Sequence, residues 1–373
     1  MDNFSLADIR KKNYADVYRY IYRQRRVSKQ DIAGALRMSL PTVTQHLAAL
    51  TKDGLISRQG QMASSIGRKA AAYEAIAQAR LAVGAEILRD RVTVVLLDLY
   101  GEVFGRIAAE LPFEQTDAYF CALASLTQEL LASCGAEPKQ VLGAGLGLQS
   151  LVSEDGQRVL YGQILHCTGM TADRLGQLLP FPCRFVHDAE CAAALELWRT
   201  PSLTDALYLS LGQHLGGAII MDGGIKSGRT GRTGAFEHMT LSEGGKLCYC
   251  GKRGCMECYC SAGALLDGAG SLEEFFTALH RGDAAVQARW ERYLDYLALA
   301  INNLHMVLDS PVLLGGHVAP FLTEQDLDAL FARIQRRTAF PESENFLRVG
   351  AQEPDVVALG AAIPFVRDFL AGL

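Results

Sequence analysis

Three thiols and one imidazole lie close together in this chain: His238 is followed, after nine residues, by Cys248-Tyr-Cys250-Gly-Lys-Arg-Gly254-Cys255-Met-Glu257. In this order they can close a tetrahedral zinc site, and the glycines at 251 and 254 let the backbone fold round it. A site with four protein ligands is normally structural, so it fixes how a loop is held. The competing reading, ordinary buried cysteines beside a surface histidine, leaves the spacing unexplained. The sequence therefore predicts one structural Zn2+ per chain on His238, Cys248, Cys250 and Cys255, with Cys258 and Cys260 as bystanders.

Five of the ten cysteines fall between 248 and 260, and that clustering suits metal better than a disulfide framework. No apolar run approaches the roughly 18 residues of a membrane span. The N-terminus lacks the basic-then-apolar order of a signal peptide. With 373 residues, 49% of them hydrophobic and 21% charged, the chain is expected to be a cytoplasmic globular protein with two or three cores and no membrane partner.

The net charge of −5 hides an asymmetry. Residues 1–70 carry thirteen Lys/Arg against five Asp/Glu, and the remainder carries 23 basic against 36 acidic residues. A basic head on an acidic body is the electrostatic footprint of a protein that meets nucleic acid with one end.

The head has a matching pattern. Val17, Tyr20 and Ile21 space a helix over 14–25. Ser28 caps a second helix, Lys29 to Leu36. After a tight turn, Ser39 caps a third, over 41–53, with Pro41 in its first turn and Val43, Leu47 and Leu50 on its inner face. This is helix-turn-helix spacing, with the third helix as the recognition helix. Thr42, Thr44, Gln45 and His46 are read as its outward residues, able with Ser39 to reach base edges or phosphates. The stretches 55–60 and 69–75 read as strands of a wing, whose tip brings Arg68 and Lys69 to the DNA backbone or minor groove. A dimer of such heads is expected to bind an inverted-repeat operator.

The pattern Cys-x-Cys-Gly-x-x-Gly-Cys-x-Glu, continued to Ser261 and preceded by a Gly-rich segment ending in His238, resembles the signature of the ROK family. That family contains sugar kinases and transcriptional repressors on an actin-like, two-lobed α/β fold. The match is complete at 248–261 and looser over 79–373, and the wing resembles that of the repressor branch. The resemblance implies a winged helix-turn-helix over 1–78, followed over 79–373 by a two-lobed, sugar-kinase-like domain for ligand sensing and oligomerisation as a homodimer or tetramer.

Several kinase residues of that family are replaced. Its first hairpin carries Asp-x-Gly-Gly-Thr, whereas this chain has Glu86-Ile-Leu-Arg-Asp90, where Leu88 denies phosphate a close approach and Asp90 repels it. In Leu209 to Gly217, Gln213 stands where a threonine is usual. Leu313-Leu-Gly-Gly316 resembles the adenosine-side loop or is simply a strand-to-helix turn. In the sugar cleft, Asp188 matches the kinase base, here expected only to accept a sugar hydroxyl, and His187 replaces a kinase asparagine. Glu257 and His238 match sugar contacts. Ala235, however, stands where the family has a sugar-binding glutamate, Glu237 where it has glycine, and Gln149-Ser150 at its Pro-Gly loop. Losing one buried carboxylate partner costs a ligand on the order of 1–3 kcal/mol.

The expectation is a ROK-type regulator, read as a repressor, with no catalytic residues and a small carbohydrate or derivative as effector. Two alternatives stand beside it: an active ATP-dependent sugar kinase fused to a DNA-binding head, and a regulator answering to a protein partner.

Overall fold

A computed structural model describes residues 5–61, 71–268 and 270–373 of the chain. Serine caps set the first helices. Ser5 Oγ accepts a hydrogen bond from Asp8 N–H and Ser5 N–H donates one back to the Asp8 carboxylate, so α1 spans Leu6–Gln24 and starts earlier than apolar spacing alone suggests. Ser28 forms the same box with Asp31 at the head of α2 (Lys29–Leu36), and Ser39 caps α3 (Leu40–Lys52).

Val27 precedes the second helix. It lies in β1 (Arg26–Ser28), which pairs with the second wing strand at Tyr73. The wing strands are β2 (Ile56–Gln61) and β3 (Ala71–Ala75), and β3 is central in the sheet β1-β3-β2. Arg68 and Lys69, at the expected wing tip, lie outside the described residues.

The body repeats one plan twice. In the first lobe β4 (Leu81–Ile87), β5 (Arg91–Leu97) and β6 (Val103–Glu110) form an antiparallel meander. Beyond α4 (Asp117–Ser133), β7 (Val141–Leu148) and the strand Cys183–His187 add in parallel on the β4 side. In the second lobe Gly224–Ile225, Leu215–Met221 and Ala206–Leu211 form the meander, and Val312–Gly315 and Leu347–Val349 the parallel pair. Ligands of such sheets bind beyond the carboxyl ends of parallel strands. Here those ends deliver Gln149, Ser150 and Asp188 to one cleft between the lobes.

Each lobe has its own core, with α4 against the first sheet and the helix Ala284–His305 in the second. A third core crosses the expected boundary at residue 78. Val17, Tyr18 and Ile21 of α1 lie in one buried cluster with Val95, Leu97 and Leu99 and with Ala358 and Leu359 of the C-terminal helix Val356–Gly372. The head is packed onto the body, not tethered to it. Among the described residues no helix is long and apolar enough to cross a membrane.

Candidate functional site

The metal cluster assembles from two short segments. A single 3-10 turn, Phe236–His238, presents His238, and the 248–255 loop returns through bridges between Thr240 and Cys255 and between Leu247 and Arg253. Gly251 and Gly254 have φ of +85° and +80°, the left-handed region that the loop needs. His238 Nδ1 lies 3.8 Å from Cys248 Sγ, and Cys250 Sγ lies 3.7 Å from Cys255 Sγ. All four ligand atoms fall within 4.8 Å of one another. A tetrahedron with metal–sulfur bonds of about 2.3 Å has edges of about 3.8 Å, so the donors are both soft enough and close enough for one tetrahedral ion. Cys258 instead donates to Leu247 O at 3.6 Å, and Cys260 is buried.

Asp188 and His187 meet at a strand-to-helix junction. The strand Cys183–His187 runs directly into the helix Asp188–Arg199, so both side chains enter the cleft. Asp188 Oδ1 accepts the Ala189 N–H at 2.8 Å and lies 3.3 Å from His187 Nε2. With Gln149, Tyr161, Glu237 and His238 they line a cavity of about 30 Å³, room for about one water. Glu257 is not among the lining residues. Its Oε1 meets His214 Nδ1 at 2.8 Å and its Oε2 accepts the Leu215 N–H at 2.7 Å, so it braces the tip of the hairpin 206–221.

Glu237 was legible in the sequence only as a departure from a glycine. It is 5% exposed, and its Oε2 has no hydrogen-bond partner among the described residues. Burial pushes its carboxyl up to about 7; the nearby His187 opposes the shift, and Asp188 and Glu257 add to it. The turn that carries it can approach because Gly217 lacks a Cβ, which would strike the Phe236 ring.

A larger cavity of about 600 Å³ continues between the lobes, past Glu86, Arg91, Ser210 and His317. Burial, then the charge of Asp188, pushes Glu86 up to about 7 against the pull of Arg91. The turn after it closes with Leu88 N–H on Arg91 O at 3.0 Å. In the second loop His317 Nδ1 takes the Gln213 N–H at 3.2 Å. Both loops thus spend a backbone donor within the protein.

On the recognition helix, Ser39 Oγ accepts the Thr42 N–H at 3.3 Å, and Thr44 Oγ1 donates to Leu40 O at 2.6 Å. Thr44 and Gln45 are exposed and Thr42 half-buried. His46 corrects the expectation of an outward residue: it is 3% exposed and sits edge-on to Tyr14, ring centroids 6.4 Å apart. The inner face is Val43, His46, Leu47 and Leu50, the i, i+3, i+4, i+7 stripe of a helix, which an apolar-only pattern misses. Burial, with Arg10 nearby, also lowers its pKa.

Cleft and head are joined through the helix that begins at Asp188. Near its other end Trp198 Nε1 donates to Tyr100 O at 3.1 Å. Tyr100 stacks on Tyr22 of α1 with centroids 4.4 Å apart, Arg25 covers the same ring at 3.3 Å, and Tyr22 donates to Leu99 O at 2.7 Å.

Residues 82–363 match the ROK family, and residues 16–57 match a winged helix-turn-helix DNA-binding family. The chain is 22% identical to the xylose repressor of Caldicellulosiruptor bescii, covering 92% of this chain and 93% of that one. It is 25% identical to the N-acetylglucosamine repressor of Escherichia coli O157:H7, covering 67% and 62% respectively. Among solved structures, a ROK family transcriptional regulator homologous to the E. coli MLC protein superposes with a TM-score of 0.76 at 20% identity, covering 97% of this chain and 98% of that one. The ROK hexokinase of Thermus thermophilus superposes with a TM-score of 0.64 at 22% identity, covering 76% and 97%.

Proposed function

The chain belongs to the ROK family as one of its DNA-binding transcriptional regulators, and from that premise we propose that it is a zinc-containing repressor whose grip on operator DNA is set by a small carbohydrate in the cleft between the lobes. The observation that carries this reading is the shared core of head and body, with the helix from Asp188 to Trp198 spanning from cleft to head. A ligand that prefers one lobe angle shifts that helix, and with it the spacing of paired recognition helices on an inverted repeat. Relatives named for xylose and for N-acetylglucosamine support a sugar as effector.

The metal in this reading is one Zn2+ per chain. His238, Cys248, Cys250 and Cys255 hold it, and when bound it ties the loop before Glu257 to the turn that carries Glu237. Asp188 and His187 accept sugar hydroxyls, and His238 and Glu257 shape the cleft around them. No group acts as a catalyst. Phosphoryl transfer is mostly positioning of phosphate, and in place of a glycine turn this chain has Leu88, whose N–H is spent on Arg91 O. Purified protein given ATP and hexoses should yield no phosphorylated product above background.

Fluorescence anisotropy tests the whole. The full-length protein should bind a fragment from its own genome with a salt-dependent affinity. Addition of a cognate sugar should change that affinity by about fivefold or more. Protein that binds no genomic fragment even at low salt would end the reading.

A further inference from the structure

We propose that Glu237 is the carboxylate that holds the effector, in place of the one absent at Ala235, and that the effector is an unphosphorylated sugar presenting hydroxyl or amino donors to it. The proposal rests on the sensing role above and adds the ligand's chemical class.

Glu237 lines the small cavity and Ala235 does not. Its Oε2 is buried without a hydrogen-bond partner among the described residues. An unmatched buried acceptor costs a fold more than a matched one returns, so such an atom in a cavity wall marks a place for a donor from outside. Its other oxygen, Oε1, lies 3.8 Å from His238 Nε2, while the two other carboxylates nearby are already served, Asp188 Oδ1 by Ala189 N–H and Glu257 by His214 and Leu215. Glu237 and Asp188 line the same cavity, where a polyol can bridge the two.

The walls fix the sign of the ligand. Gln149, Ser150, Tyr161 and the imidazoles of His187, His214 and His238 surround the two acids, and among the described residues no lysine or arginine lines the cavity. A phosphate or carboxylate placed between Asp188 and Glu237 would find no guanidinium or ammonium in the wall of this small cavity, since Arg91 lines only the larger cavity that continues from it. A hydroxyl or an ammonium meets matched acceptors. The cavity of about 30 Å³ is far smaller than a pyranose ring, so entry needs the walls to part. Tyr249, edge-on to His214 at 5.4 Å and to His238 at 5.2 Å, is one of those walls.

Isothermal titration of the full-length, zinc-loaded protein against xylose, glucose, glucosamine, N-acetylglucosamine and the 6-phosphates of the three hexoses tests this. An unphosphorylated sugar should bind, and a hexose 6-phosphate should bind at least tenfold more weakly than its parent. Glu237→Ala should weaken the binding sugar about tenfold or more, and Glu237→Gln, which keeps the shape and one acceptor, by less. DNA affinity without sugar and zinc content should stay as in the wild type. The glutamine variant keeps the test open should the alanine variant misfold. A 6-phosphate that binds more tightly than its parent, or equal sugar affinity in wild type and both variants, overturns this proposal and leaves the sensing role standing. No binding of any sugar to the wild type removes the sensing role, and this proposal with it.

Discussion

Asp188 and Trp198 sit near opposite ends of one helix, Asp188 facing the ligand cleft and Trp198 bonded to the carbonyl of Tyr100, against which the DNA-binding head is stacked. Helices are stiff, and this one is buried along Ala189 to Glu196 apart from Glu190, so a displacement at Asp188 reaches Trp198 largely undamped. The receiving end is aromatic and specific: Tyr100 lies between the Arg25 guanidinium and the Tyr22 ring.

The first prediction concerns this link. Trp198→Phe keeps a ring against Gly101 but removes the hydrogen bond to Tyr100. Sugar affinity of the free protein and DNA affinity without sugar should each stay within about twofold. The change in DNA affinity that sugar produces should shrink several-fold, since coupling energies of this kind are about 1–3 kcal/mol in total. Anisotropy titrations with and without sugar measure all three. Unchanged coupling in this variant would show that the signal travels by another route.

The recognition helix offers a paired prediction. Gln45 is exposed on the outer face, so Gln45→Ala should reduce discrimination among operator sequences, by about 1–3 kcal/mol if it makes a bidentate base contact. His46 is buried against Tyr14, so His46→Ala should leave sequence preference unchanged. It should lower the stability of the head by about 1–3 kcal/mol instead, as core truncations do. Competition binding against mutated operators, beside urea unfolding, separates the two effects. A specificity change from His46→Ala would return that residue to the outer face.

His46 also marks where sequence reading stops. Caps and turn residues announce helix starts locally, so α2 and α3 fall where Ser28 and Ser39 place them. The inner face of a helix is set by angle as well as hydrophobicity, and a histidine at the i+3 position is carried inward with its neighbours. Val27 joins a sheet because its partner Tyr73 is distant in sequence, which no local pattern reveals. The cluster at 238–255 was legible because its ligands are close in the chain. Glu237 was not, since an unmatched acceptor shows only once the walls around it are placed. The contact of α1 with the C-terminal helix was hidden for the same reason, and removal of residues 1–78 would bare part of a shared core.

Glu86 should make stability fall with rising pH. Its folded pKa is raised from 4.5 to about 7, so between those values the folded protein keeps a proton that the unfolded chain releases. The protein is therefore favoured below about 4.5 and loses this contribution as pH climbs through about 7, by on the order of 3 kcal/mol at the upper end. Glu237 spans the same window, and burial also pushes up Glu196 and Asp98, so Glu86→Gln should flatten the slope and not abolish it. Urea unfolding at intervals from pH 5 to 8 reads this directly. An identical slope in wild type and variant would show that Glu86 titrates normally.

Metal removal should reach the cleft through a short physical chain. The 248–255 loop ends at Glu257 two residues on, and Glu257 holds both the His214 ring and the Leu215 N–H of the hairpin 206–221. With zinc bound, four ligands fix that loop; without it, buried thiols and one imidazole pack loosely and Glu257 loses its anchor. Elemental analysis should find about one zinc per chain. Cys250→Ser should lower the zinc content and depress the thermal midpoint by about 1–3 °C, the size of shift expected from a loss of about 1–2 kcal/mol in a chain of this length. Sugar response should weaken with it, while Cys258→Ser, outside the cluster, should change none of these. Protein that carries no metal and yet is equally stable and responsive would show that the four ligands meet for packing alone.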